Sequence, residues 1–389
     1  MTVLTDLDVA CGITLGAPRR PLRLPRAPGD VLGALEDAIR PALLRGPCLV
    51  SFSGGRDSSL VLAAAARLAR REGLPDPVPA TNVIPDAPST DERRWQEAVV
   101  AHLGLADWVR VEHDDELDVV GPYARRVLRA HGLLWPFNVH FHLPLLDAAR
   151  GGTLLTGIAG DELFRSASRP VLRGRRAHVL HRLPGAVRRR LMRPAIPGFP
   201  WLTQEGGRAV RAASRAHDAY EPRTRRRRMG WVLGQRYLRV GGESLERVAG
   251  LAGARVAHPL ADPRVWGAVA AAAPRSGYAD RTAAMRALFA GLLPDEVLAR
   301  EDKAGFDAAF WRGPARSAVE AWDGRGLPSH LVDAGALAAH WRGERPMAQS
   351  FLLLQAAWLA SRMGERGEEL GDGRERVGAP RAAQAPDRA

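Results

Sequence analysis

The chain has 389 residues, 46% of them hydrophobic, enough to bury a sizeable core in one large or two medium domains. Its two cysteines, Cys11 and Cys48, form no CxxC pair or Cys/His cluster, which excludes a disulfide scaffold and a structural zinc site and points to a reducing, cytoplasmic setting. The formal charge of +13 invites a nucleic-acid partner, but 18 arginines fall within residues 165–228 against Glu205, Asp218 and Glu221, so the rest of the chain is nearly neutral.

Residues 1–30, rich in Pro, Gly and Arg, have no sustained period and are expected to form an extended arm. Met1 to Ala10 carries Asp6 and Asp8 and lacks the basic start and apolar run of a secretory signal. No window reaches the roughly 18–20 apolar residues of a membrane span. Apolar spacing predicts a helix over 31–44 and a buried strand over 47–52. After the glycines, Ser58 to Arg71 is an Ala- and Leu-rich helix. A second strand follows at 78–84, then a helix capped by Thr90 or Asp91 and running to Leu103. A third strand covers 108–111, helices 121–131 and up to Arg150, and another strand 152–156. Strands alternating with helices imply an α/β fold with a parallel twisted sheet, its ligands at the carboxyl ends of the strands. From Ser166 the pattern turns helical, including 245–251, 263–273, 281–292 and 347–362. The expected organisation is an arm (1–30), a main domain (31–315) with an Arg-rich insertion (165–228), C-terminal helices (316–365) and a disordered tail (366–389).

Ser53-Gly54-Gly55-Arg56-Asp57-Ser58-Ser59 lies between a buried strand and a helix. The glycines permit close backbone approach, the helix start offers amide donors, and Ser53, Ser58 and Ser59 add hydroxyls, a setting for polyphosphate. Asp57 is placed to hold the magnesium that accompanies ATP. The string has neither the Lys-Ser/Thr ending of a Walker loop nor the GxGxxG spacing. It resembles the signature loop of the ATP-pyrophosphatase (PP-loop) superfamily, which implies an adenine-nucleotide α-hydrolase-like fold and cleavage of ATP to AMP and pyrophosphate. Val83, at the end of the second strand, joins the expected nucleotide contacts.

Leu154 to Phe164 (LLTGIAGDELF) resembles the Ser-Gly-Glu-Gly-Gly-Asp-Glu-Leu-Phe segment of asparagine synthetases, β-lactam synthetases and lasso-peptide cyclases. By position, Asp161 falls on the second metal ligand, and Thr156 and Gly157 on nucleotide-contacting sites. Two carboxylates suit metal ions on a leaving pyrophosphate. Arg255 to Asp262 resembles the family's Arg-Val-Pro-Phe-Leu-Asp segment with altered spacing, and Leu292 to Phe306 the segment that carries its catalytic lysine. Lys303 falls on that lysine. It is the single Lys among 56 basic residues, as expected where a compact ammonium, not a guanidinium, is required.

Two features depart from the family. Only 52 residues precede the loop and the second residue is Thr2, so a glutaminase with an N-terminal cysteine nucleophile is not expected. Ile158 stands where asparagine synthetases carry Glu and β-lactam synthetases Tyr, and Gly253 near the position of the latter's supporting Glu. The base must come from elsewhere, with His258, Glu162, His140 and His142 as candidates. The resemblance implies an ATP- and Mg2+-dependent ligase that adenylates a carboxylate and passes the acyl group to an amine or ammonia, in natural-product or peptide metabolism such as lasso-type macrolactam formation. The partners would be the acid, the amine donor, and a separate glutaminase or a carrier or peptide-binding protein. Nucleic acid is not expected. The alternatives are a catalytically impaired nucleotide-binding relative and a tRNA-modifying PP-loop enzyme. The Arg clusters of 165–228, among them 188–190 and 225–228, could face the substrate entrance.

Overall fold

The computed structural model describes residues 3–26, 29–168, 198–218, 221–222, 224–300 and 304–362. Lys303, Arg188 to Arg190 and the segment 366–389 lie outside these.

Five parallel strands form one sheet: β1 (Cys48–Ser51), β2 (Val78–Val83), β3 (Val109–Glu112), β4 (Thr153–Leu155) and β5 (Arg255–Ala257), in the order β3-β2-β1-β4-β5. The four strands expected from the sequence are present. The fifth lies inside the segment read above only as a family match, because three residues with an exposed Arg255 give no apolar run. The chain steps outward from β1 through β2 to β3, then returns to β4 on the other side of β1. The connections after β1 and β4 therefore diverge and open a crevice at the carboxyl ends of the strands.

Helices cover both faces of the sheet, so Leu49 and Val50 of β1 are buried and the strands read as short apolar runs. On one face pack α2 (Val31–Leu43) and α3 (Arg56–Glu72), whose Leu60 to Ala66 are almost wholly buried. The small Ala side chains of α3 let it lie close against the strands. Beyond α4 (Arg93–Leu103), the opposite face carries α5 (Pro122–His131) and α6 (Leu143–Ala148). Next come α7 (Gly160–Ala167) on the first face, α8 (Gln204–Asp218), α9 (Arg225–Leu233) and α10 (Arg236–Ala252), the last packing beside α6. The first face is completed by α11 (Pro263–Ala272) and α12 (Arg281–Phe289).

A second core gathers Trp201, Trp341 and Phe351 from the helical C-terminal half with Ala10 and Cys11 of the arm. The arm differs from the expected extended chain. Its residues Asp6–Cys11 form a helix, α1, capped by Thr5, whose hydroxyl accepts from the Asp8 amide (3.2 Å) while the Asp8 carboxylate accepts from the Thr5 amide (2.8 Å). Arg236 clasps the same carboxylate with two bonds of 2.7 Å, pinning the arm to α10. The Thr-Xaa-Xaa-Asp spacing carries the cap, but six helical residues are too few to show a period.

Candidate active site

The Ser53–Ser59 loop follows β1 without slack. Gly54 has φ +77°, and a Cβ there would stand 2.8 Å from Gln96 Cγ, so glycine is required on both counts. The Ser58 hydroxyl accepts from the Ser53 amide (3.2 Å) and donates to the Gly55 carbonyl (3.0 Å), bracing the loop from inside. Gln96 donates to the Ser53 carbonyl from α4 (3.3 Å). Gly55 caps α3, so Asp57 sits in that helix's first turn.

The connection after β4 approaches this loop so closely that two of its residues must lack a side chain. A Cβ on Gly157 would lie 2.8 Å from the Ser58 amide nitrogen, and one on Gly160 only 2.3–2.7 Å from the Asp57 carboxylate atoms. Between them Ala159 has φ +73°, the left-handed value that among the described residues no other non-glycine adopts. This turn starts α7 beneath Asp57 and brings Asp161 alongside it. Arg281, the first residue of α12, joins the two: one nitrogen donates to Asp57 (2.5 Å) and the other to Asp161. Burial pushes the Asp57 carboxyl above its usual range while Arg281 opposes the shift. One guanidinium thus compensates two carboxylates supplied by neighbouring strands.

These groups line a cavity of about 520 Å3. Of the sequence-predicted residues, Ser53, Gly55, Asp57, Ser58, Thr156, Gly157 and Asp161 face it. Gly54 and Ser59 do not: Gly54 packs on Gln96, and Ser59 is wholly buried. Val83 lines an adjoining cleft with Asn82 and Trp108, and Glu92 borders both spaces. Thr156 spends its hydroxyl on His258 Nδ1 (2.7 Å).

The candidate bases separate. His140 is enclosed, its two ring nitrogens within bonding distance of the Phe137 (3.2 Å) and Leu117 (2.9 Å) carbonyls, and it lies outside the cavity lining. His258 also lies behind the wall. His142 reaches the cavity, but burial pulls it down to about 4, as it does His140 and His258, so all three are neutral near pH 7. Glu162 faces the cavity and accepts a hydrogen bond from the Tyr237 hydroxyl (3.1 Å). Burial, reinforced by that carboxylate, raises the Tyr237 pKa and keeps the phenol protonated. Ile158 lines the cavity, whereas Gly253 is the C-cap of α10 at φ +72°, a backbone position that explains its glycine without reference to chemistry.

Sequence reasoning missed Arg281, Tyr237 and the pair Glu92–Arg300. The last two side chains are each 4% exposed and fully engaged: Arg300 donates to Glu92 with both terminal nitrogens (one bond 2.5 Å) and to the Gly54 carbonyl (3.1 Å). Glu92 also accepts from the Ala304 amide (2.7 Å), and Arg300 lies 4.9 Å from the Trp95 ring centre. The signal was hidden by composition, since arginine is everywhere in this chain. The expectation for 225–228 is corrected: Arg225, Arg226 and Arg228 donate to backbone carbonyls of Ala273, Arg275, Leu24, Pro25, Ser166 and Ser168, and so staple the fold together.

The fold and the paired loops define a PP-loop α/β synthetase domain. The chain matches the asparagine synthase family over residues 30–360 and belongs to that family, whose members are ATP-dependent ligases joining a carboxylate to an amine or ammonia. No curated protein matches the chain. No helix among the described residues is long and apolar enough to cross a membrane.

Proposed function

We propose that this chain activates a carboxylic acid as its AMP ester and transfers the acyl group to an amine, a chemistry of peptide or other natural-product assembly. The supporting observation is the convergence of Asp57 and Asp161 on one guanidinium within the cavity. Asp57 and Asp161, whose carboxylates already share one cation, would hold Mg2+. When bound, Mg2+ would neutralise charge on the pyrophosphate.

In the first step a substrate carboxylate oxygen bonds to the α-phosphorus of ATP and the bond to pyrophosphate breaks. The braced loop and the start of α3 hold the phosphates, with Arg281 and Arg56 beside them. Arg56, fixed by Thr282 (2.9 Å), enters from the loop itself. Lys303 is assigned to the developing phosphate and acyl charge on the strength of its sequence position. In the second step the amine nitrogen bonds to the acyl carbon, AMP leaves, and the amine proton passes to Glu162, which Tyr237 orients. The reading through tRNA thiolation loses support: both cysteines are buried, and burial pushes Cys11 up to about 11 and Cys48 up to about 12, leaving no ready thiolate.

ATP–pyrophosphate exchange driven by a carboxylic acid tests this proposal. Exchange lost in Asp57→Asn and in Asp161→Asn supports it, as does product formation lost in Lys303→Arg. ATP binding without exchange for any acid overturns it.

A further inference from the structure

The cavity has two unlike halves. Around the pyrophosphate loop it is polar and charged. Away from that loop it is lined by Trp135, Phe141, Phe306, Leu245 and Ile158, and by α10 at Gly241 and Gly242. The aromatic wall is held rigidly: the Trp135 indole N–H donates to the Gly12 carbonyl of the arm (3.1 Å), and Phe141 packs edge-on against Phe306 with ring centres 5.4 Å apart.

The two glycines carry the argument. A glycine inside a helix is less stable there than an alanine. Here the fold does not demand them, because neither has positive φ, and an added Cβ would meet nothing closer than Trp135 at 3.5 Å from Gly241 and His258 at 3.9 Å from Gly242. These are ordinary packing distances. Both residues line the cavity, and the space left by the methyl group missing from Gly241 lies beside the Trp135 indole, whereas that of Gly242 lies toward the His258 ring.

We infer that this half binds the body of the acid and that the acid is bulky and apolar, an aryl- or branched-alkyl-bearing carboxylate and not an aspartate-like one. Its carboxylate points to the Asp57–Asp161 side, and its apolar body lies over Gly241 and Gly242 against Trp135. The inference rests on the adenylating reading above. Ile158 fits it as well: an alkyl side chain at that position continues the apolar wall, where a carboxylate would have faced a hydrophobic ligand.

Exchange is measured with 3-phenylpropionate and N-acetylphenylalanine against aspartate, succinate and propionate, using the full chain and the variants Gly241→Ala, Gly242→Ala and Gly250→Ala. Gly250 lies on the same helix with no atom near its virtual Cβ, so its variant controls for helix propensity alone. The expected result is exchange with the aryl acids in the unmodified protein and a KM for them raised roughly 10- to 200-fold in Gly241→Ala or Gly242→Ala. Propionate kinetics should stay within twofold and thermal stability should be equal or higher in all three variants. Exchange strongest with aspartate or succinate overturns the inference and leaves adenylation standing, as do unchanged aryl-acid kinetics in both cavity variants. Exchange with no acid overturns adenylation itself, and this inference with it.

Discussion

Replacing Glu92 by Ala tests the anchor behind the pyrophosphate loop. The residue lies under the loop and its carboxylate is shared among Arg300, whose two terminal nitrogens both reach it, and the Ala304 amide. Both charged side chains are 4% exposed, so truncation leaves a guanidinium in low dielectric without its carboxylate. Breaking one partner of such a pair costs about 3–5 kcal/mol, because the remaining charge is uncompensated. The double variant Glu92→Leu/Arg300→Met, which removes both charges and refills the space, should lie within about 1–2 kcal/mol of the parent. The functional readout should not recover with stability, since Gly54 and Ala304 lose their tie in either case and exchange should stay depressed in the double variant. Urea denaturation and ATP–pyrophosphate exchange on the same preparations provide both quantities. A loss below about 1 kcal/mol in Glu92→Ala, or full exchange in the double variant, would refute this account of the anchor.

Other perturbations address the remaining parts. Gly160→Ala places a Cβ within 2.3–2.7 Å of the Asp57 carboxylate and must displace it from Arg281; stability should fall by about 1–3 kcal/mol and exchange by about 100-fold, measured by denaturation and radiolabelled pyrophosphate. Glu162→Gln should preserve exchange yet slow amide formation by roughly 100- to 10,000-fold, whereas equal loss of both steps would assign Glu162 a structural role. His140 is held neutral by burial with its pKa lowered from 6.5 to about 4, so the unfolded chain takes up the proton first as pH falls. The stability this contributes is present above pH 6.5 and is lost as pH drops through about 4, at about 1.4 kcal/mol per pH unit within that window. Denaturation curves between pH 7.5 and 4.5 should show that slope reduced by this amount in His140→Gln.

β1 and β4 were legible because central parallel strands buried on both faces are short apolar runs bounded by glycine, and the α3 segment is Ala- and Leu-rich without a breaker. β5 and α1 were not, since three residues or one capped turn leave too little period to read. The two motif loops were legible for a different reason: backbone geometry fixes their residue types. Gly54 needs positive φ and clearance from Gln96, and Gly157 and Gly160 need room against Ser58 and Asp57. Such constraints write themselves into the sequence as spaced glycines, and only Ala159 breaks the pattern by accepting the left-handed conformation.

Charge left a poorer record. With 55 arginines in the chain, Arg281 and Arg300 look no different from Arg225 or Arg226, although the first two touch the site and the others staple carbonyls to one another. Lys303 stood out because a rare residue type carries information that a common one cannot. The family comparison at Ile158 and Gly253 was similarly uneven. Ile158 lines the cavity, so its alkyl side chain bears on the chemistry, whereas Gly253 answers to a helix cap at φ +72°. The proposed base, Glu162, stands at neither position: it is the residue after Asp161, and the phenol that donates to it comes from α10, a helix whose sequence shows nothing but an amphipathic stripe. α10 also supplies Gly241 and Gly242, so under the proposed reaction one helix would set both where the amine proton goes and how large an acid enters. Variation within Arg236–Ala252 should therefore change substrate choice while Asp57, Asp161 and the Ser53–Ser59 loop stay as they are.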